Sequence, residues 1–186
     1  MEILQKVYYF FLDTLQTLLL AAAIFIVTYI FLFRPYQVSG ESMYPTFHNQ
    51  EYVLTNLIAL RYEPLKKGEV IVFHSPTDAD KDFIKRVIGL PGDTVMIREG
   101  EVYVNNTKLD QSAFLGTEVK TYAGAFLHEG EAITVSPEQY FVMGDNRPHS
   151  SDSREFGPIK KESVIGKSMV VYWPVNRLRV VVNPYK

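Results

Sequence analysis

FIKRVIGLPGDTVMI, residues 83–97, reads as strand, turn and strand. Val, Ile and Phe dominate its flanks and suit a pleated, half-buried surface, while Pro91-Gly92-Asp93 between them is a turn signal. The same grammar repeats outward. EYVLTN at 51–56 and EVIVFH at 69–74 precede it, and VYVN at 102–105, YFVM at 140–143, VIGKSMVVYW at 164–173 and LRVVVN at 178–183 follow, punctuated by Glu-Gly and Asn-Asn. The spacing predicts a mostly β domain. The stretch from Asp110 to Gly130 has mixed polarity, scattered glycine and no clean period, and is expected as a long loop or a flap over the site.

A different pattern rules the N-terminus. From Thr14 to Phe33 the chain carries no charge over 20 residues, which as a helix spans roughly 30 Å, one hydrocarbon thickness. A cleavable leader has a shorter apolar run and small residues at its cut, whereas this one ends in bulky Tyr29, Ile30, Phe31, Leu32 and Phe33. The stretch therefore reads as an uncleaved transmembrane anchor at about 14–33, with the folded domain at 34–186. Arg34-Pro35 ends the span, because proline drives the residue before it out of the helical region. Lys6 and the amino terminus against Arg34 bias the N-terminus weakly to the cytoplasmic side.

Composition removes several chemistries. With net charge −2 the chain has no basic excess for phosphates, so nucleic acid is not expected as a partner. Cysteine is absent, which excludes disulfides, a thiolate nucleophile and cysteine-bound zinc. His48, His74 and His128 lack ligand-like spacing, and the 186 residues have room for an anchor and one core.

Three polar segments stand apart from this frame: SGESMYPT at 39–46, KRVIGLPGD at 85–93 and GDNRPHSSDSR at 144–154. None forms a G-x-S-x-G elbow or a Ser-x-x-Lys motif, and His128-Glu129 lacks the second histidine of a zincin helix. Ser42 sits between Gly40, which permits close backbone approach, and Pro45, which stiffens the turn; alone, such an octapeptide is more often structural. In a strand through Phe83, Lys85 shares one face with Val87, and Arg86 shares the other with Ile84 and Ile88. Both cations lie among apolar neighbours. Only lysine can lose its proton near neutral pH when desolvated, so Lys85 rather than Arg86 is the candidate base. In the third segment Asp145, Arg147, Asp152 and Arg154 alternate in sign, a pattern that also fits a solvated loop, and Ser150 or Ser151 offers a hydroxyl to a lysine amine.

Taken in order behind one span, SGESMYPT, GEVIVFHSP, KRVIGLPGD and GDNRPHSSDSR resemble the bacterial type I signal peptidases, in particular their short Gram-positive form. The resemblance implies an antiparallel all-β catalytic domain with a Ser/Lys dyad, Ser42 as nucleophile and Lys85 as general base. It matches Ser150 to a serine that orients the lysine, and Asp152 and Arg154 to residues that brace the site. One position departs from the Gram-negative pattern: where that form has an oxyanion-hole serine, this chain has Gly40, which leaves the hole to the Ser42 N–H and a second donor that the sequence does not name.

The implied reaction is acyl transfer, with no metal or cofactor. Ser42 lies nine positions after Phe33, within about 30 Å of the span even if fully extended. The implied partners are the lipid bilayer and exported preproteins carrying small residues, typically Ala, one and three positions before the cut. The implied place is the cell membrane, with the catalytic domain on the extracytoplasmic face. Two alternatives remain open: a Ser/Lys autoprotease of repressor type, although Ala123-Gly124 follows both dyad residues here, and a non-processing relative that serves as an assembly factor.

Overall fold

In a computed structural model, residues 2–116 and 118–185 are described. Helix α1 covers Glu2–Leu32 and buries no residue; Leu18, Leu19, Ile24, Phe25 and Ile26 are each more than half exposed. A helix apolar on every side needs an apolar solvent rather than a protein core. Its threonine hydroxyls are satisfied internally, Thr14, Thr17 and Thr28 each donating to the carbonyl four residues back, as a lipid environment requires. α1 is long and apolar enough to cross a membrane.

The helix stops one residue earlier than the charge pattern suggests. Phe33 already belongs to strand β1 (Phe33–Gln37), whose register sets it against Asn56 of β2 (Tyr52–Asn56). After a single turn of helix, α2 (Ala59–Tyr62), come β3 (Val70–His74), β4 (Asp82–Gly89), β5 (Thr94–Arg98), β6 (Glu101–Val104), β7 (Thr107–Lys108), β8 (Ala132–Thr134) and β9 (Gln139–Met143). A short helix α3 (Ser153–Phe156) leads to β10 (Ile159–Lys160), β11 (Val164–Trp173) and β12 (Arg179–Val180).

The pairings are antiparallel throughout and form two sheets. The larger runs β1-β2-β11-β3-β4-β9-β10, with β12 added to β11, and the smaller runs β7-β6-β5-β8. β4 is central to the site because it is buried on both faces from Lys85 onward. Val87 joins Ile71, Phe73 and Val142 in one apolar cluster, while Ile88 joins Val95, Ile97 and Phe141 in another beneath the small sheet. A third cluster of Val38, Met43, Phe47, Val53, Val70 and Val171 lies under the loop that carries Ser42. Each such side chain contributes about 1.5–3 kcal/mol through removal from water, so β4 and the Ser42 loop are anchored from both sides.

Among the described residues, 110–130 contains no helix or strand, as the sequence pattern suggests. The run 178–183 pairs only at Arg179 and Val180.

Candidate active site

The loop between β1 and β2 closes at its neck, where Val38 N–H donates to Glu51 O and Gln50 N–H to Val38 O, both at 2.8 Å. Gly40 enters it at φ +90, with nothing within 4 Å of where a Cβ would stand. Backbone conformation, rather than the expected close approach, is what glycine supplies here. Its N–H is held by Asn49 Oδ1 at 3.0 Å. Met43 and Phe47, 1% and 0% exposed, plug the loop into the core and leave Ser42 half-buried at its crest.

Lys85 reaches Ser42 from β4. Its Nζ lies 2.7 Å from Ser42 Oγ and 3.1 Å from Ile84 O, and the lysine is 4% exposed. Burial is the main influence on the amine and pulls its pKa down from 10.5 to about 8, with Arg154 acting the same way and Asp152 and Asp145 opposing. Arg86, next in the strand, points the other way and forks onto Asp145, Nε to Oδ1 at 2.9 Å and Nη2 to Oδ2 at 2.7 Å. The strand's alternation thus sends one cation to the serine and the other to a carboxylate.

The third polar segment stitches this arrangement together. Asn146 N–H donates to Ser42 O and its Nδ2 to Glu41 O, each at 3.0 Å. Thr46 Oγ1 donates to Asp145 Oδ2 at 2.5 Å. Asp152, fully buried, accepts from Gly144 N–H at 3.0 Å and from Arg154 Nε and Nη2 at 2.8 Å. Arg154 also donates to the carbonyls of Arg147, Ser150 and Tyr122. With its carboxylate so occupied, Asp152 is not a partner for His149, which stands exposed. The Ser-His-Asp arrangement that these two residues invite is not formed.

Ser150 is close but does not reach the lysine amine. Its buried Oγ has no hydrogen-bond partner, and it packs where a Cβ on Gly144 would also meet Ser42 O. Ser151, by contrast, lines the same groove as Ser42 and Lys85. That groove, about 230 Å³, is walled by Val38, Val53, Val72 and Ile84, and Ser39 stands at its side. Among the described residues the Ser42 N–H has no acceptor.

Among the described residues none of 110–130 walls the groove, which favours the long-loop half of the expectation over the flap. They pack behind the site instead: Phe114 lies 4.2 Å under the Arg86 guanidinium, and the Thr121 hydroxyl accepts from Arg147 Nη1 at 2.7 Å. Sequence reasoning missed Thr46, Gly144 and Asn146 as site residues. Each lies inside a segment that stood out, but the bond from Thr46 to Asp145 spans 99 positions and has no local signal.

The family model for signal peptidase, peptidase S26, matches residues 11–173. Signal peptidase I S of Bacillus subtilis is 34% identical over 172 residues, covering 90% of this chain and 92% of its own length. Signal peptidase IB of Staphylococcus aureus is 34% identical over 186 aligned positions, 92% of this chain and 96% of its own. A crystal structure of a signal peptidase I from Enterococcus faecalis is 30% identical, with a TM-score of 0.45 over 56% of this chain and 97% of that one. The family match takes in all three polar segments and most of the apolar helix, and on that breadth the chain belongs to the signal peptidase family, peptidase S26.

Proposed function

We propose that this chain cuts signal peptides from exported preproteins with Ser42 as nucleophile and neutral Lys85 as general base. Family membership supports a serine endopeptidase acting on such preproteins. The observation that carries the dyad is the 2.7 Å separation of the buried Lys85 Nζ from the half-buried Ser42 Oγ. An amine depressed to about 8 is neutral often enough near pH 7 to take the serine proton. The Ser42 oxygen then attacks the scissile carbonyl, and the lysinium returns its proton to the leaving amine. Water, deprotonated by the same lysine, hydrolyses the ester and frees the serine. The unengaged Ser42 N–H supports a role as oxyanion donor.

The small apolar groove supports short side chains, such as alanine, before the cut. The proposal includes braces at Asp152 and Arg154, a conformational role for Gly40 and a packing role for Ser150 beside Gly144. It also includes a single-pass anchor with the N-terminus cytoplasmic and the domain from 34 onward outside. Turnover of a preprotein by the detergent-solubilised chain tests the dyad. Lys85→Arg keeps the charge but cannot supply a neutral amine, so it should lose about 100-fold or more in processing, as Ser42→Ala does. A folded Lys85→Arg that works at nearly the parent rate would remove lysine from the mechanism.

A further inference from the structure

Glu51 forms the neck of the Ser42 loop and is fully buried, a position where a carboxylate needs partners. Its main partner arrives from 128 positions away. Arg179, the first residue of β12, donates Nη1 to Glu51 Oε1 at 2.9 Å and Nη2 to Oε2 at 2.5 Å. His48 N–H adds 3.0 Å to Oε2, and Arg177 Nη1 stands 3.7 Å from Oε1. Burial alone would raise the Glu51 pKa, but the Arg179 and His48 bonds outweigh it and hold the carboxyl below its ordinary value.

The same arginine also grips the loop itself. Arg179 Nη2 donates to Thr46 O at 2.6 Å, and its guanidinium lies 5.7 Å from the Phe47 ring. Thr46 is thereby held at both ends, since its hydroxyl donates to the Asp145 that Arg86 clamps. Yet Arg179 lines no part of the groove around Ser42 and Lys85. Beside this fork, β12 pairs with β11 at Val170–Val180 and Val171–Arg179, and just beyond it Val181 donates its N–H to Met169 O at 2.7 Å and packs on the cluster under the Ser42 loop.

The geometry points to Arg179 as a positioning residue: through Glu51 and the Thr46 carbonyl it holds the 42–47 turn in register with Lys85, so the C-terminal strand completes the active site. The inference rests on the Ser/Lys reading above. A planar fork is needed because one side chain must serve two acceptors with fixed geometry, which lysine's single ammonium does poorly.

The test uses the full-length chain in detergent and reads preprotein kcat, KM and thermal midpoint for Arg179→Gln, Arg179→Lys and the double variant Arg179→Met/Glu51→Leu. Loosening the turn displaces the nucleophile without touching the substrate groove. Arg179→Gln should therefore lower kcat about 100-fold with KM within about twofold, and Arg179→Lys should recover part of it. The double variant removes the unpaired buried carboxylate, so it should regain thermal stability while kcat stays low. If Arg179→Gln does not fold, the double variant still decides the matter. Recovery of kcat together with stability in the double variant, or a folded Arg179→Gln within about twofold of the parent kcat, overturns the positioning role. Lys85→Arg in the same assay keeps the two readings separate: if it remains active the dyad fails, whatever Arg179 does.

Discussion

Lys85 and Arg86 are neighbours in one strand, 4% and 1% exposed, and burial treats their charges differently. Arg86 is bonded to Asp145, whereas Lys85 has Ser42 Oγ and a carbonyl within reach and no carboxylate bonded to it. Its pKa near 8 fixes the sign of two pH effects. Under the proposed dyad, activity requires the neutral amine, so kcat/KM should climb about tenfold per pH unit below 8 and level off above it. A pH–rate profile without an ionisation near 8 would count against lysine as the base. Stability runs the same way with pH. Below pH 8 the lysine is charged in folded and unfolded chains alike, and the buried charge costs the folded state about 3 kcal/mol, from 2.5 pKa units at about 1.36 kcal/mol each. That penalty disappears between pH 8 and 10.5, where the unfolded chain still binds the proton and the folded chain does not. Lys85→Met should accordingly be inactive yet more stable than the parent at pH 7, by up to about 3 kcal/mol, with the advantage fading toward pH 10.5. Urea unfolding at the two pH values would measure it, and a Lys85→Met less stable than the parent at pH 7 would show that the lysine is not under this strain.

Between β9 and α3 the backbone closes on the Ser42 loop, and Gly144 leaves the room for it. A Cβ there would meet Ser150 and the Ser42 carbonyl, backbone that Asn146 already holds in place. Gly144→Ala should therefore displace Ser42 and lower processing about 100-fold. Gly92 is the natural control, because it sits at φ +86 with open space around it; Gly92→Ala should cost about 1 kcal/mol of stability and leave kcat unchanged. Equal losses of kcat in both variants would mean that the Gly144 effect is loss of fold rather than displacement. Legibility from sequence divides along similar lines. β2, β3, β4, β5, β6 and β9 were readable to within a residue or so, because each combines β-branched composition with a turn signal at its end. β8, β10 and α2 were not, for they span two to four residues and exist through what they pair or pack with. Ser42 could be named through the resemblance and Lys85 through chemistry and the resemblance together, and the structure sets their side chains 2.7 Å apart; the same resemblance assigns Ser150 to the lysine, but its hydroxyl makes no hydrogen bond there. Contacts such as Thr46 with Asp145 or Glu51 with Arg179 join segments that no local pattern connects.

At the scale of the whole molecule the apolar helix runs directly into the β domain. Leu57 N–H donates to Leu32 O at 2.9 Å, so the end of β2 is tied to the last residue of the apolar helix. β1 then lifts the chain about 17 Å, five residues at about 3.3 Å each, before the loop that carries Ser42 begins. In the proposed single-pass orientation this sets the serine close above the bilayer surface, where the stretch that follows a preprotein's apolar segment would emerge. Enzyme and substrate held in one plane meet more often and in fewer orientations than in free solution. The benefit exists only if domain and emerging preprotein share a face of the membrane, which is why the proposed orientation can be tested apart from the chemistry. In spheroplasts expressing the chain with a C-terminal epitope, external protease should remove the epitope without lysis and leave α1 protected by lipid. The dyad variants Ser42→Ala and Lys85→Arg should be digested in the same way, since topology does not depend on turnover. An epitope that survives until the cells are lysed would put the domain on the cytoplasmic side and separate Ser42 from any translocated preprotein.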